Sequence, residues 1–266
     1  MPVRRISRPG IELRIAADAQ ELAAEAADHF ASLADQYVVG AGRFTVALSG
    51  GSTPRSMFSL LAKEPFSVSI PWHSIRFFWV DERAVLPTHP GSNYRMANDA
   101  LLSRVPIPPE NIFRIPAEME TPELAAAQYS ETLKEYFGGA VSLRTTPATS
   151  PLGNWPRFDL VLLGMGADGH TASLFPRSPA IKETDSFVAA NYIQKLNAHR
   201  ITLTPPTINN ARNVTFVVSG GDKADMLKNV VDGPPNPDLY PSQLIKPRNG
   251  SLLWLLDEAA ASKLSS

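Results

Sequence analysis

The chain has 266 residues, with 25 lysines and arginines against 26 aspartates and glutamates, for a formal net charge of −1. A chain so nearly neutral has no overall field that would draw it to nucleic acid or an anionic membrane, so we expect neither as a partner. The absence of cysteine excludes disulfides, thiolate metal sites and a cysteine nucleophile. The five histidines show no H-E-x-x-H spacing, and we expect no metal and no cofactor.

The beginning of the chain predicts neither a signal peptide nor a membrane span. Glu12 and Arg14 fall where a signal peptide needs an apolar run, and no segment approaches the ~18 apolar residues that a membrane span requires. A chain of this length buries roughly 70 to 75% of its unfolded surface, so a substantial core is expected. We therefore expect a soluble, cytoplasmic protein.

Strand and helix signals alternate along nearly the whole chain. They predict helices at 18–37, from 54, from 92 or 93, at 121–137 and from 223, and strands at 11–15, 44–48, 75–80, 158–163, 187–192, 201–203, 214–218 and 252–256. Asp18 with Glu21 forms a capping-box-like helix start, and the helix at 121–137 has a Thr121 cap with Pro122 at its first position. The alternation predicts one α/β domain over 1–266, with a mainly parallel sheet flanked by helices. Surface insertions are expected near 138–157 and 232–241.

The segment from Phe158 to Pro176, F-D-L-V-L-L-G-M-G-A-D-G-H-T-A-S-L-F-P, is the most informative. Its apolar start predicts a strand buried on both faces of a parallel sheet, and ligands bind beyond the carboxyl ends of such strands. Asp168 and His170 follow in the glycine loop. In extended backbone, residues two apart point the same way, so the carboxylate and the imidazole can share one pocket. This spacing predicts a catalytic pair; the alternative is a histidine that only orders its own turn.

Two loops share the pattern strand, Ser-Gly-Gly, helix start: F-T-V-A-L-S-G-G-S-T-P from Phe44 and V-T-F-V-V-S-G-G-D-K-A from Val214. Their N–H groups and the positive helix start suit a phosphate. Either loop alone is more typical of a tight strand–helix connection, whereas two copies, one with a lysine at the helix start, favour anion binding. The candidate anion-binding residues of these loops are Ser49, Gly50, Gly51, Ser52, Thr53 and Lys223. Charged residues also follow another strand end at Asp81, Glu82 and Arg83, and a weaker candidate, Arg200, opens a later strand; the alternative for these is a solvated rim.

Three glycines, Gly164, Gly166 and Gly169, satisfy the dinucleotide pattern G-x-G-x-x-G after a strand. That fingerprint continues as a long helix, whereas Pro176 and Pro179 cut a helix short here. The sequence therefore disfavours an NAD-linked dehydrogenase.

Taken together, the motifs resemble the 6-phosphogluconolactonases, in family order and over nearly the whole chain. The motifs that carry the resemblance are L-S-G-G-S-T-P-R at Leu48–Arg55, V-D-E-R at Val80–Arg83, S-N-Y at Ser92–Tyr94, G-M-G-A-D-G-H-T-A-S-L-F-P at Gly164–Pro176, R-I-T-L-T at Arg200–Thr204 and S-G-G-D-K-A at Ser219–Ala224. One departure is Gly91, where relatives often have aspartate; it affects only the detail of that loop.

The resemblance implies a three-layer, Rossmann-like α/β fold shared with glucosamine-6-phosphate deaminases, and hydrolysis of 6-phospho-D-glucono-1,5-lactone without a metal. His170 would be the general base, and Asp168 would orient the imidazole or hold the water; the spacing does not decide between them. The 6-phosphate would be bound by the loop at 49–53 together with Arg83, Arg200 and Lys223, and Asp81 would also belong to the substrate site.

Single positions argue against two alternatives, a deaminase and a non-catalytic sugar-phosphate sensor. A deaminase has an acidic residue shortly after the shared D-G-H, and Phe175 stands at the matching position; a phenyl ring cannot transfer a proton. A non-catalytic sugar-phosphate sensor would be expected to lose Asp168 or His170, and this chain keeps both.

Overall fold

The computed structural model of the protein describes residues 3–139 and 155–265. Its strands are β1 Arg4–Arg8, β2 Ile11–Ala16, β3 Phe44–Leu48, β4 Ile75–Trp79, β5 Asp81–Arg83, β6 Ile112–Phe113, β7 Leu160–Leu163, β8 Val188–Ile193, β9 Ala198–Leu203, β10 Asn213–Val218 and β11 Ser251–Asp257. Its helices are α1 Ala19–Ala41, α2 Ser52–Leu61, α3 Phe66–Ser69, α4 Asn93–Ala100, α5 Pro122–Gly139, α6 Pro205–Asn209, α7 Ala224–Val231 and α8 Glu258–Ala261.

The main sheet of the described chain has eight strands in the order β1-β2-β11-β10-β7-β3-β4-β6. Only β1, at one edge, runs antiparallel to its neighbour; every other pair is parallel. All residues of β3 and β7 are buried, as expected of central strands covered on both faces. The prediction of an α/β fold with a mainly parallel sheet flanked by helices is confirmed, whereas the edge strand β1 was not predicted.

The order of the strands fixes where a ligand can bind. From β3 the chain moves outward through β4 to β6, then returns to the other side of β3 as β7 and moves outward through β10 to β11. The chain crosses to opposite sides of the sheet after β3 and after β7, and this reversal leaves a crevice between the carboxyl ends of these two strands. The Ser-Gly-Gly loop after β3 and the D-G-H loop after β7 both open into this crevice.

A second, antiparallel sheet has the order β5-β9-β8 and was not predicted. The strands predicted near 187–192 and 201–203 are present but belong to this sheet and not to the parallel one, and the charged residues 81–83 form its short third strand. The chain leaves the main sheet at Val80, whose carbonyl oxygen accepts from the N–H of Leu203. Pairing with β9 satisfies backbone groups that would otherwise be unpaired in a buried place.

The predicted helices are present in the structure, and their first and last residues differ by a few positions from the prediction. Asp18 caps α1 by accepting from the N–H groups of Gln20 and Glu21, and Thr121 accepts from the N–H of Leu124 at the start of α5. Helix α2 begins at Ser52, two residues before the predicted start at 54. Residues 232–240 form no helix or strand, as predicted, and the predicted insertion at 138–157 lies mostly outside the described residues.

None of the helices in the described part of the chain combines the length and apolarity needed to cross a membrane.

Candidate active site

A cavity of about 190 Å³ lies in the crevice between the carboxyl ends of β3 and β7. Its lining residues are Ser49, Gly50, Gly51, Asp81, Arg83, Asn93, Gly164, Met165, Gly166, His170 and Ala172. A larger cavity, of about 400 Å³, is lined mainly by apolar and proline residues around Trp254, and Lys246 is the one charged group of that lining. Catalysis needs converging titratable groups, and of these two cavities the smaller one has them, so it is the candidate active site.

Asp168 and His170 form a pair, as their spacing predicts. Nδ1 of His170 lies 2.5 Å from Oδ1 of Asp168. Gly166 makes room for the imidazole, because a Cβ at that position would lie 2.1 Å from the same Nδ1. An ionised carboxylate can only accept a hydrogen bond, so Nδ1 carries a proton, and in the neutral imidazole Nε2 keeps its lone pair. The pair is therefore a candidate base on the wall of the cavity.

The carboxylate of Asp168 is held ionised by its neighbours. Burial alone would raise the pKa of Asp168, but hydrogen bonds from His170 and from Nζ of Lys195 outweigh it and hold the pKa well below its ordinary value. Phe175 stacks on one face of the imidazole, with ring centroids 4.0 Å apart and planes 14° from parallel. The imidazole is thus fixed both in its plane and across its face.

A buried carboxylate, Glu82, joins two of the sequence motifs. Its oxygens accept from the N–H groups of Arg83, Asn93 and Tyr94, at 2.7–2.8 Å, and from the hydroxyl of Ser92 at 2.9 Å. Two of these N–H groups belong to the first turn of α4, where a negative charge is favoured. Burial raises the pKa of Glu82, although the backbone N–H donors oppose this. The V-D-E-R and S-N-Y motifs therefore form one structural unit at the edge of the cavity.

Asp81 belongs to a buried hydrogen-bond network beneath the cavity. One of its carboxylate oxygens accepts from Ser173 at 2.7 Å and the other from the amide of Asn93 at 3.2 Å. The Asn93 side chain packs against Gly50, where a Cβ would lie 1.8 Å from the amide oxygen. The first glycine of the Ser-Gly-Gly loop is thus required by this close approach. Asp81 lines the cavity but is already occupied by two donors.

Arg83 and Arg200 lie opposite each other on β5 and β9. Directly paired residues of an antiparallel sheet present their side chains on the same face, and like charges there repel. Burial, and then the charge of Arg83, lowers the pKa of Arg200. Of these two, Arg83 lines the cavity, and it also lines an adjoining cavity of about 230 Å³ with Ser52, Arg55 and Ser92. Two neighbouring guanidiniums are stabilised by an anion bound between or beside them.

The remaining predicted residues lie at different distances from the cavity. Ser49 and Gly51 line it, and the hydroxyl of Ser49 donates to the carbonyl of Leu162 at 2.6 Å. Thr53, in the first turn of α2, lines neither of the two adjoining cavities. Lys223 also lines neither; its Nζ donates to the adjacent Asp222 at 2.5 Å. The second Ser-Gly-Gly loop is held by Asp257, which accepts from the N–H of Gly220.

Sequence reasoning missed three residues that shape the site: Asn93, Ser173 and Lys195. Asn93 and Ser173 stand inside motifs that were recognised, but their spacing to Asp81 carries no signal. Lys195 lies in a 3₁₀ turn between β8 and β9 and had no motif to indicate it. Among the described residues, no group of three or more histidine, aspartate or glutamate side chains converges as a metal site would require.

Fold and cavity together define the class of an α/β enzyme, with a histidine–aspartate pair beside a glycine-rich loop and arginine side chains. The sequence matches the family described as Glucosamine-6-phosphate isomerases/6-phosphogluconolactonase over residues 17–254. The chain belongs to this family, and the resemblance seen in the motifs is confirmed.

Individual relatives agree with this assignment. A 6-phosphogluconolactonase of Nostoc sp. is 43% identical, over 93% of this chain and 96% of its own length. A probable 6-phosphogluconolactonase of Arabidopsis thaliana is 38% identical, over 95% of this chain and 93% of its own. The solved structure of the 6-phosphogluconolactonase from Trypanosoma brucei matches with a TM-score of 0.80 and 28% identity, covering 95% of this chain and 98% of that one.

Proposed function

We propose that this protein hydrolyses 6-phospho-D-glucono-1,5-lactone to 6-phospho-D-gluconate, the second step of the oxidative pentose phosphate pathway. The observation that carries the proposal is that His170, paired with Asp168, lines the same cavity as the Ser-Gly-Gly loop and Arg83. Its similarity to 6-phosphogluconolactonases along most of its length supports the same substrate.

His170 acts as the general base in the proposed reaction. Its Nε2 takes a proton from a water molecule whose oxygen attacks C1 of the lactone, giving a tetrahedral intermediate with a negative oxygen. When the bond between C1 and the ring oxygen breaks, the imidazolium returns the proton to the ring oxygen, which becomes a hydroxyl. Such a base typically contributes ~10²–10⁴-fold to the rate. Asp168 orients the imidazole through Nδ1, a role that the 2.5 Å contact favours over holding the water.

The 6-phosphate of the lactone is the anion that binds at the cationic end of the cavity. In the proposed complex, Arg83 and Arg200 bind the phosphate with the N–H groups of residues 49–53 at the start of α2. Lys223 reaches the same anion by exchanging its contact with Asp222. Asp81 shapes the site through Asn93 and Ser173. Anchoring the phosphate positions C1 away from it, beside His170.

A deaminase reaction is the alternative within the same family, and the contacts of Phe175 argue against it. Ring opening of an amino sugar needs a further proton donor, whereas Phe175 offers the imidazole only an apolar face. Among the described contacts of His170, the one carboxylate is that of Asp168, which lies at Nδ1 and not on the ring face that Phe175 covers.

The proposal is tested by measuring hydrolysis of freshly made 6-phosphogluconolactone, corrected for its spontaneous hydrolysis, with and without exhaustive chelation. We expect enzymatic hydrolysis that a chelator leaves unchanged, because the proposed chemistry uses cations and amides instead of a metal. Absence of hydrolysis above the spontaneous rate would refute the function. Loss of activity on chelation, with recovery on adding a divalent ion, would refute the metal-free mechanism alone. The cytoplasmic location and the single-domain organisation stay predictions.

A further inference from the structure

The catalytic pair is part of a ring of contacts between four side chains. They are His170, Asp168, Lys195 and Phe175. His170 contacts Oδ1 of Asp168, and Lys195 binds Oδ2 of the same carboxylate. Nζ of Lys195 also lies 5.9 Å from the centre of the Phe175 ring, on which the imidazole is stacked. Lys195 therefore binds Asp168 directly and lies within cation–π distance of Phe175, the two side chains that fix His170, although it does not line the cavity that contains His170.

The position of Lys195 is set by the second sheet. It lies in the 3₁₀ turn that joins β8 to β9, and Asn197 closes this turn in the left-handed conformation, at φ 45° and ψ 47°. The hydroxyl of Tyr192 donates to the side chain of Asn197 and holds the turn from the β8 side. The hairpin thus carries a lysine to a loop that lies 27 residues earlier in the chain.

A free carboxylate has two equivalent oxygens and rotates about its Cβ–Cγ bond, so it can present either oxygen to an imidazole. A lysine on Oδ2 removes this freedom and leaves Oδ1 for Nδ1 of His170. A cation at this place also offsets the negative charge of Asp168, which otherwise favours the imidazolium over the neutral base. The ion pair is more than half exposed on the lysine side, so its contribution to stability is small.

We propose that Lys195 is a positioning residue for the lactonase reaction: it locks the Asp168 carboxylate and keeps His170 available as a neutral base. This inference rests on the proposed function. Lys195 acts through Asp168 and Phe175 and makes no contact with the reacting atoms. The β8–β9 hairpin is thereby part of the active site, although no residue of β8 lines the catalytic cavity.

The effect of Lys195 on the pH dependence has a definite sign. The other charged groups around His170 are Asp168 on its own loop and Asp81 and Arg83, which line the cavity from β5. These remain when Lys195 is replaced by methionine. Loss of a cation makes protonation of the imidazole easier, so the base is inactivated at a higher pH. The acidic limb of the kcat/KM profile should therefore move to higher pH.

The test compares Lys195→Met, Lys195→Arg and a matched control, Lys182→Met, an exposed lysine outside the site. We expect Lys195→Met to lower kcat about tenfold with KM within twofold and to shift the acidic limb upward, as loss of orientation predicts. Lys195→Arg should restore most of kcat and the wild-type limb. Lys182→Met should resemble the wild type throughout.

A second readout does not depend on turnover. An NMR titration of the His170 ring in the free protein should show its protonation midpoint moved upward in Lys195→Met and not in Lys182→Met. An unchanged midpoint and pH profile in a folded Lys195→Met variant would overturn the inference. A rise in KM with unchanged kcat would also overturn it and make Lys195 a substrate-binding residue. If the wild type lacked lactonase activity, the proposed function would fail, and the NMR result would still decide whether Lys195 controls His170.

Discussion

At the scale of single residues, the candidate site combines one proposed base with several groups that hold it in place. His170 is held by Asp168 in its plane, by Phe175 across its face and by the space that Gly166 leaves. Any larger residue at 166 would occupy the position of the imidazole. The geometry of the proposed catalytic pair therefore depends on a glycine and a phenylalanine as much as on its own two side chains.

The first prediction concerns His170→Ala. A general base acts mainly in the transition state, so kcat should fall at least a hundredfold while KM stays within a few-fold. Steady-state kinetics on the 6-phospholactone measure both constants. His73→Ala is the matched control, because His73 is exposed and precedes β4, at the opposite end of that strand from the cavity. An alanine variant with nearly full activity would remove His170 from the mechanism.

The second prediction separates phosphate binding from chemistry with Arg83→Ala and Lys223→Ala. A charged hydrogen bond contributes roughly 1.5–3 kcal/mol, so either change should weaken binding of the phosphorylated lactone about ten- to a hundredfold. Hydrolysis of unphosphorylated glucono-lactone should barely change.

Arg104→Ala, an exposed arginine outside the site, is the control for loss of a positive charge. If one of the two substitutions harmed both substrates equally, that residue would belong to the reacting centre. If Lys223→Ala alone had no effect, the pair of Lys223 with Asp222 would be permanent and the second Ser-Gly-Gly loop would not bind phosphate.

At the scale of secondary-structure elements, the cavity depends on how α4 is attached to β5. Glu82 receives four hydrogen bonds from residues at the end of β5 and the start of α4. Asn93, the first residue of α4, then supports both Asp81 and Gly50. A displacement of α4 would thus reach the Ser-Gly-Gly loop directly.

The third prediction concerns Glu82→Gln. A glutamine has one acceptor oxygen in place of two, so buried N–H donors at the start of α4 lose their partner. We expect the free energy of unfolding to fall by roughly 1–3 kcal/mol, the net of lost hydrogen bonds and a cheaper burial of a neutral group. Urea denaturation measures this change, with the exposed Glu110→Gln as control. Equal stability of the two variants would show that the carboxylate contributes nothing to holding α4.

At the scale of the whole molecule, one histidine far from the site couples stability to pH. Burial, and then the positive charge of Arg14, lowers the pKa of His29 to about 4, from an ordinary value of 6.5. Its Nε2 lies 3.1 Å from the hydroxyl of Thr215, which joins α1 to β10. The folded protein therefore holds His29 neutral under conditions in which the unfolded chain binds a proton.

The fourth prediction follows from this difference. Above pH 6.5 neither state binds a proton at His29, so the contribution to stability is complete; it is lost as the pH falls toward 4, because only the unfolded state is then protonated. The total is roughly 3 kcal/mol. Urea unfolding of the wild type and of His29→Gln between pH 7 and 4 measures it. The wild type should lose more stability than the variant over this interval, and parallel curves would contradict the low pKa of His29.

Local sequence determined the elements and the reactive loops of this protein. Apolar runs such as Phe158–Leu163, caps such as Asp18 and the Ser-Gly-Gly and D-G-H turns depend on residues close in the chain, and their periodicity and turn chemistry are visible in one sequence. The Asp168–His170 pair could be predicted for the same reason, because its two members are two residues apart.

The tertiary structure decided which strands pair with each other and which distant side chains are in contact. Whether residues 198–203 pair in the parallel sheet or with β5 depends on which edge has unpaired backbone groups, and hydrophobic periodicity is the same in both cases. The contacts of Glu82 with Asn93 and of Asp168 with Lys195 join residues 11 and 27 positions apart. Such contacts depend on how strands and loops pack against each other, and no periodic pattern in the sequence records that packing.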